Sequence, residues 1–227
     1  MAVVIPERDV TRPLSTFPIA LVLIIVANFV VFVAELALGD PFVERYSMVP
    51  AQIVAGQHWE TLITSMFLHA SWLHIGGNML YLWVFGDELE ANYLGSLRFP
   101  IFYLLCGLAA DFLQIAVDPT STVPNLGASG AIAGVLGGFM VVFPHDEILS
   151  LVLGLIGIFQ TRVTAAVFIG IWFLMQLING LGSITSVESG GVAYFAHIGG
   201  FIAGVLLIKP LVIGHPPGPE ESLVEPI

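Results

Sequence analysis

Four polar residues stand inside apolar stretches of this chain: His74, Asn78, Ser129 and His197. Serine is a weak nucleophile until a neighbouring base takes its proton. Histidine titrates near neutrality, so it can take that proton and hand it on to a leaving group. An amide such as Asn78 and a second imidazole are donors suited to a developing oxyanion. His74 and Asn78 are four residues apart and share one helix face, and His69 stands five residues before His74. Together these residue types are the parts of a hydrolytic site, provided the fold gathers them.

The elements that must gather them are set by composition. Of the 227 residues, 57% are apolar and 10% are charged, against about 25% charged in soluble domains. Mean hydropathy is +0.95. A soluble domain of this size has no interior for so much apolar surface, so the lipid bilayer is the expected solvent. Six Lys and Arg against 17 Asp and Glu give a net charge of −11, which leaves no basic footprint for nucleic acid. The single cysteine, Cys106, excludes a disulfide framework or a Cys-based zinc site within the chain.

A crossing helix takes about 20 mostly apolar residues. Six stretches are candidates: 17–38, 72–89, 99–117, 129–143, 163–181 and 194–213. A seventh apolar stretch, 148–159, is too short to cross and is expected at the interface or folded against the bundle. The first stretch is too long for a signal-peptide core and lacks a small-residue cleavage site. No internal repeat or inverted half is visible. The fold class expected is therefore an all-α membrane protein, a six-helix transmembrane bundle. Residues 1–16 form a short N-terminal tail and 17–213 the core. Within the core, 39–71 is a membrane-associated first loop, partly helical; after the core, 214–227 is a disordered C-terminal tail.

Six spans place Arg8, Arg12, Arg98, Arg162 and Lys209 on the side of the N-terminus and Arg45 on the other. Basic residues favour the cytoplasmic side, so both termini are expected there, in the inner membrane of a prokaryotic cell. Spans two, four and six then all begin at the outer face. His74 and Asn78 lie in the first turns of span two, Ser129 opens span four, and His197 lies just inside span six. All four reach a similar depth.

Gly130, Gly134 and Gly138 recur every four residues on span four, and Gly200 and Gly204 follow His197 on span six. Small residues at this spacing let backbones approach closely, which would bring Ser129 beside His197. Each feature also has a plain reading. Ser129 suits a helix N-cap, the glycines suit simple packing, His74 and Asn78 suit interhelical hydrogen bonds, and His197 suits a satisfied buried histidine. Their shared depth on alternate spans is what those readings leave unexplained.

Gly127-Ala128-Ser129-Gly130 resembles the nucleophile motif of rhomboid intramembrane serine proteases. Ala196-His197-Ile198-Gly199-Gly200, with Gly204 following, resembles the base motif of their last core helix. His69, His74 and Asn78 resemble the polar cluster at the start of their second helix. The resemblance covers about 17–213. It implies a six-helix rhomboid-like bundle and a serine endopeptidase that cleaves transmembrane segments of other membrane proteins, with no cofactor or metal. It makes Ser129 the nucleophile and His197 the base. Asn78 and His74 would join the backbone N–H of Ser129 in an oxyanion hole, supported by His69. Gly127, Gly130, Gly134, Gly200 and Gly204 would pack the helices at the site, and Glu90 would be structural. Two positions depart from the family pattern. Some members carry a tyrosine four residues after the serine, where this chain has Ala133. Many carry an arginine after the first-loop tryptophan, where Glu60 follows Trp59. Span five, with Trp172 and Phe173, is the expected gate for substrate.

Three other function classes fit parts of the chain. A catalytically inactive rhomboid-like binder of membrane-protein clients would have no need of both Ser129 and His197. A transporter or channel would line its path with Asp111, Gln114, Gln176 and Asn179, but no broken-helix pair accompanies them. A zinc hydrolase would use His69, His74 and His197, yet Ala70 stands where a His-Glu-x-x-His helix has its glutamate.

Overall fold

The computed structural model describes residues 3–154, 157–185 and 193–212; the C-terminal tail over 214–227 lies outside them. The chain opens on strand β1, Val3–Asp9, and enters helix α1, Ile19–Leu38. No Gly or Pro interrupts α1. The N–H groups of Ala20 and Leu21 donate to the Glu90 carboxylate at 3.0 and 2.6 Å. That acid satisfies donors a helix start leaves orphaned, and it suits the positive end of the helix dipole.

The first loop is partly helical, with α2 at Asp40–Tyr46, α3 at Pro50–Val54 and α4 at Thr61–Thr64. Met48 exchanges two backbone hydrogen bonds with Asn125, which fastens this loop to the segment leading into α7, Ser129–Val142. Helix α5, Trp72–Glu88, starts where the Ser71 hydroxyl accepts the His74 N–H at 3.1 Å. It continues as a π-helical turn, Leu89–Leu94, and meets α6, Gly95–Val117. Gly95 has φ +73°, and the chain reverses there. A Cβ on Gly86 would sit 3.1 Å from the Phe99 ring, whereas thirteen residues of straight helix span about 20 Å.

Among the described residues, three apolar helical stretches are long enough to cross a bilayer: Ile19–Leu38, Trp72–Val117 and Ala165–Gly182. The first two are α1 and the α5–α6 hairpin. The third lies in α8, Ala165–Thr185. Helices α7 and α9, Tyr194–Leu207, are apolar but shorter. Leu23, Val30 and Val33 of α1 and Ile171, Leu174 and Ile178 of α8 are exposed, an outer surface suited to lipid chains. Phe85, Phe99, Phe102, Tyr103 and Phe139 are fully buried inside.

The fold is mostly helical, and the all-α expectation needs correction. Strands β2, Glu147–Gly154, and β3, Gly157–Thr164, form an antiparallel hairpin, and β1 pairs antiparallel with β2. The described residues of the 148–159 stretch, 148–154 and 157–159, are thus strand, and the N-terminal tail begins as one. The fifth expected span also starts later, because Val163 and Thr164 belong to β3. A run of 4–8 apolar residues between turn signals suits a strand as well as an interfacial segment. Here the register Val3↔Leu153 to Asp9↔Ile148 supplies a partner from the far end of the chain. Arg12 holds this sheet to the bundle: its Nε donates to Asp146 at 2.8 Å and lies 3.5 Å from Glu88. Because β1 and β2 share hydrogen bonds, they lie on one side of any membrane. The number of crossings between them is therefore even.

Candidate active site

Ser129 is the first residue of α7, and Ala128 is the N-cap. The serine hydroxyl is therefore not spent on capping. Its Oγ lies 2.8 Å from His197 Nε2. Gly127, two residues earlier, has φ +125°, a conformation glycine adopts without steric cost.

The close approach of α7 and α9 follows from their glycines. A Cβ on Gly200 would collide with the carbonyl oxygen of Gly130, and one on Gly204 with that of Gly134. On α7, Gly137 makes room for the Phe201 carbonyl of α9, and the glycines of the stripe make theirs elsewhere. Added Cβ atoms at Gly130, Gly134 and Gly138 would run into Ala110, Cys106 and Phe102 of α6. The pairs ascend on one helix as they descend on the other, so α6 and α7 are antiparallel. The two glycine stripes thus seat α7 between α6 and α9, which sets Ser129 against His197.

His197 is 8% exposed. Its Nδ1 lies 2.8 Å from Gln176 Oε1 on α8. The Trp172 ring, one turn earlier, lies 5.8 Å from the imidazole. Both ring nitrogens are thereby engaged, which leaves neither for a metal and argues against the zinc reading. By sequence alone Gln176 suits a path-lining residue; the structure sets it on the base instead. Its spacing of four from Trp172 was the available sign that both share a helix face.

On α5, the Ala70 N–H donates to His74 Nδ1 at 3.4 Å. An accepting Nδ1 leaves the proton of a neutral ring on Nε2. That Nε2 lies 3.0 Å, and Asn78 Nδ2 3.7 Å, from where a Cβ on Gly127 would sit. Asn78 Nδ2 is buried with no hydrogen-bond partner among the described residues. Two donors therefore face the turn that carries Ser129. His69 stands just behind, its ring edge-on to His74 at 5.1 Å, and its backbone N–H donates to both Glu35 oxygens. Burial, and after it the His74 ring, pushes the His69 imidazole down to about 4, so it is neutral at pH 7. A cavity of about 30 Å³ lined by Ser65, Asp111, Asn125, Gly127 and Ser129 adjoins the site. That is room for one or two waters.

A rhomboid domain model matches residues 55–213. The chain belongs to the rhomboid family. It is 33% identical over 172 residues to "Rhomboid protein 1, mitochondrial" of Saccharomyces cerevisiae, covering 73% of this chain and 45% of that one. It is 30% identical over 152 residues to "Rhomboid protease GluP" of Bacillus subtilis, covering 67% and 26%. It is 30% identical over 154 residues to "Rhomboid-like protein 11, chloroplastic" of Arabidopsis thaliana, covering 66% and 51%. The chain thus spans about half or less of these relatives' own length. It is a multi-pass membrane protein of a family found in bacteria and in organelles. Within this rhomboid domain, Glu60 accepts from Arg45 of α2 at 2.8 Å, so the first loop is tied by an ion pair at the position where many rhomboids carry arginine. At Ala133, buried on α7, no side chain reaches the base; the bracing of His197 comes from α8 instead.

Proposed function

We propose that this rhomboid protein is an intramembrane serine endopeptidase that hydrolyses peptide bonds in or near transmembrane segments of other membrane proteins. The observation that carries this is the 2.8 Å contact between Ser129 Oγ and His197 Nε2, set beside two spare donors on α5. In this reading six helices cross the membrane: α1, α5, α6, α7, α8 and α9. Four crossings then separate β1 from β2, as their shared sheet requires, and both termini are cytoplasmic. The bundle over 17–213 is the catalytic core, and the cell membrane of a prokaryote is the expected location.

Ser129 Oγ attacks the scissile carbonyl carbon as its proton passes to His197 Nε2. The carbonyl electron pair moves onto oxygen. Asn78 Nδ2–H, His74 Nε2–H and the backbone N–H of Ser129 receive that oxyanion, and the N-terminal end of α7 favours its charge. Collapse of the intermediate breaks the C–N bond, and the amine leaves with the proton from Nε2. Water then attacks the acyl-serine, giving its proton to Nε2, and release of the new carboxyl end restores the hydroxyl. His69 acts behind His74, as a neutral ring that adds no competing charge. A substrate helix hides its carbonyls in its own hydrogen bonds, so segments weakened by Gly or Pro unwind more readily.

The test is cleavage of a single-span substrate in liposomes by wild type, Ser129→Ala and His197→Ala. Both variants are expected to keep their helical signal and lose cleavage. Cleavage retained by Ser129→Ala would sink this mechanism. A folded wild type that binds client helices without cleaving any would favour the binder.

A further inference from the structure

We infer that Gln176 is a positioning residue for the base: it fixes the proton of His197 on Nδ1. The Trp172 carbonyl can only accept, and the Gln176 amide nitrogen lies 3.4 Å from it. Nε2 of Gln176 therefore faces Trp172, and its Oε1 faces the imidazole. Oε1 can only accept as well. At 2.8 Å from Oε1, His197 Nδ1 must carry the proton. The lone pair of a neutral ring then sits on Nε2, 2.8 Å from Ser129 Oγ. The opposite tautomer would aim an N–H at Ser129, and the serine proton would have no acceptor.

Among the described residues no carboxylate performs this task, and no aromatic ring does so from α7, because Ala133 has none to offer. The brace comes from α8, a helix that carries neither the nucleophile nor the base. Trp172 and Gln176 lie on one face of it. The Trp172 ring packs against the imidazole, while the Trp172 backbone sets the amide that sets the proton. In serine proteases a wrongly placed histidine proton costs about 10⁴ in kcat where the third group is an aspartate. A neutral amide makes a weaker bond than a carboxylate, so its removal is expected to lower kcat by about 10- to 100-fold.

The kinetic part rests on the peptidase reading; the tautomer does not. The test is therefore a spectrum and a rate on the full chain. Histidine-selective ¹⁵N labelling, with His197→Gln to assign the signal, reads the tautomer of the resting protein. Wild type is expected to show His197 protonated on Nδ1 alone, and Gln176→Met, similar in shape but without the acceptor, a mixture. The same variant is expected to cleave with a 10- to 100-fold lower kcat and a KM within twofold. Protonation on Nε2 in wild type would overturn the inference, without needing any variant to fold. So would a Gln176→Met protein with an unchanged tautomer, or with kcat within twofold of wild type. If wild type cleaves nothing, the peptidase reading fails by itself, and the spectrum still decides where the proton is held.

Discussion

His74 and His197 hold their protons on opposite ring nitrogens, each because of one neighbour. The Ala70 N–H occupies Nδ1 of His74 and leaves Nε2–H facing Gly127. Gln176 does the reverse for His197. One ring is thus a donor toward the reaction and the other an acceptor. In the proposed reaction Asn78 completes the donor side, and its buried Nδ2 has no hydrogen-bond partner among the described residues that a substitution would strand. Asn78→Ala is therefore expected to lower kcat by about 10²–10³ while melting no earlier than wild type. Single-turnover cleavage and thermal unfolding in detergent check the two halves. A lower melting point with an unchanged rate would make Asn78 a packing residue. His74, Asn78, Ser129 and His197 were legible in the sequence because each is polar in an apolar stretch. Gln176 stood out for the same reason but was read as lining a path. Its partner is on another helix, and the α8–α9 packing that joins them leaves no trace in local spacing.

Among the elements, α7 decides the geometry of the site. Its Gly130 and Gly134 carbonyls face α9; Gly130, Gly134 and Gly138 open toward α6, and Gly137 leaves room for the Phe201 carbonyl of α9. The sequence showed the glycine spacing and so the close approach, but spacing carries no direction, and the share given to α6 was not legible. Gly200→Val is expected to push α9 off the Gly130 carbonyl and separate Ser129 from His197. The expected cost is about 1–3 kcal/mol of stability from overpacking, together with loss of cleavage. Gly76→Ala on α5 is the matching control, since an added Cβ there meets nothing within 4 Å. A Gly200→Val protein that melts and cleaves like the Gly76 variant would refute the close crossing.

At the scale of the whole molecule, the sheet closes the bundle on its N-terminal side. Asp9, Glu88 and Asp146 come together there, and Arg12 is the cation set against Glu88 and Asp146. Both of those acids are almost completely buried. Arg12→Ala is expected to cost roughly 1–3 kcal/mol of stability from lost pairing, to lower the melting temperature, and to expose the N-terminal segment to added protease. Unchanged proteolysis would show that the strand pairing suffices alone. None of this was legible beforehand. The β1 segment contains Pro6, where the register shifts, and proline weakens any strand reading. Its partner stands beyond seven helices, α1 to α7.

That distance sets an order of events during synthesis. The strand at Val3–Asp9 is made before α1, yet the edge it joins at Glu147–Gly154 emerges only after α1, α5, α6 and α7. Until then β1 is an unsatisfied edge, free to join any other available strand. Closure of the sheet thus marks the point at which the first two-thirds of the chain has been threaded with its ends on one side. A chain threaded with an odd number of crossings would leave its opening strand facing the wrong compartment, with nothing to pair.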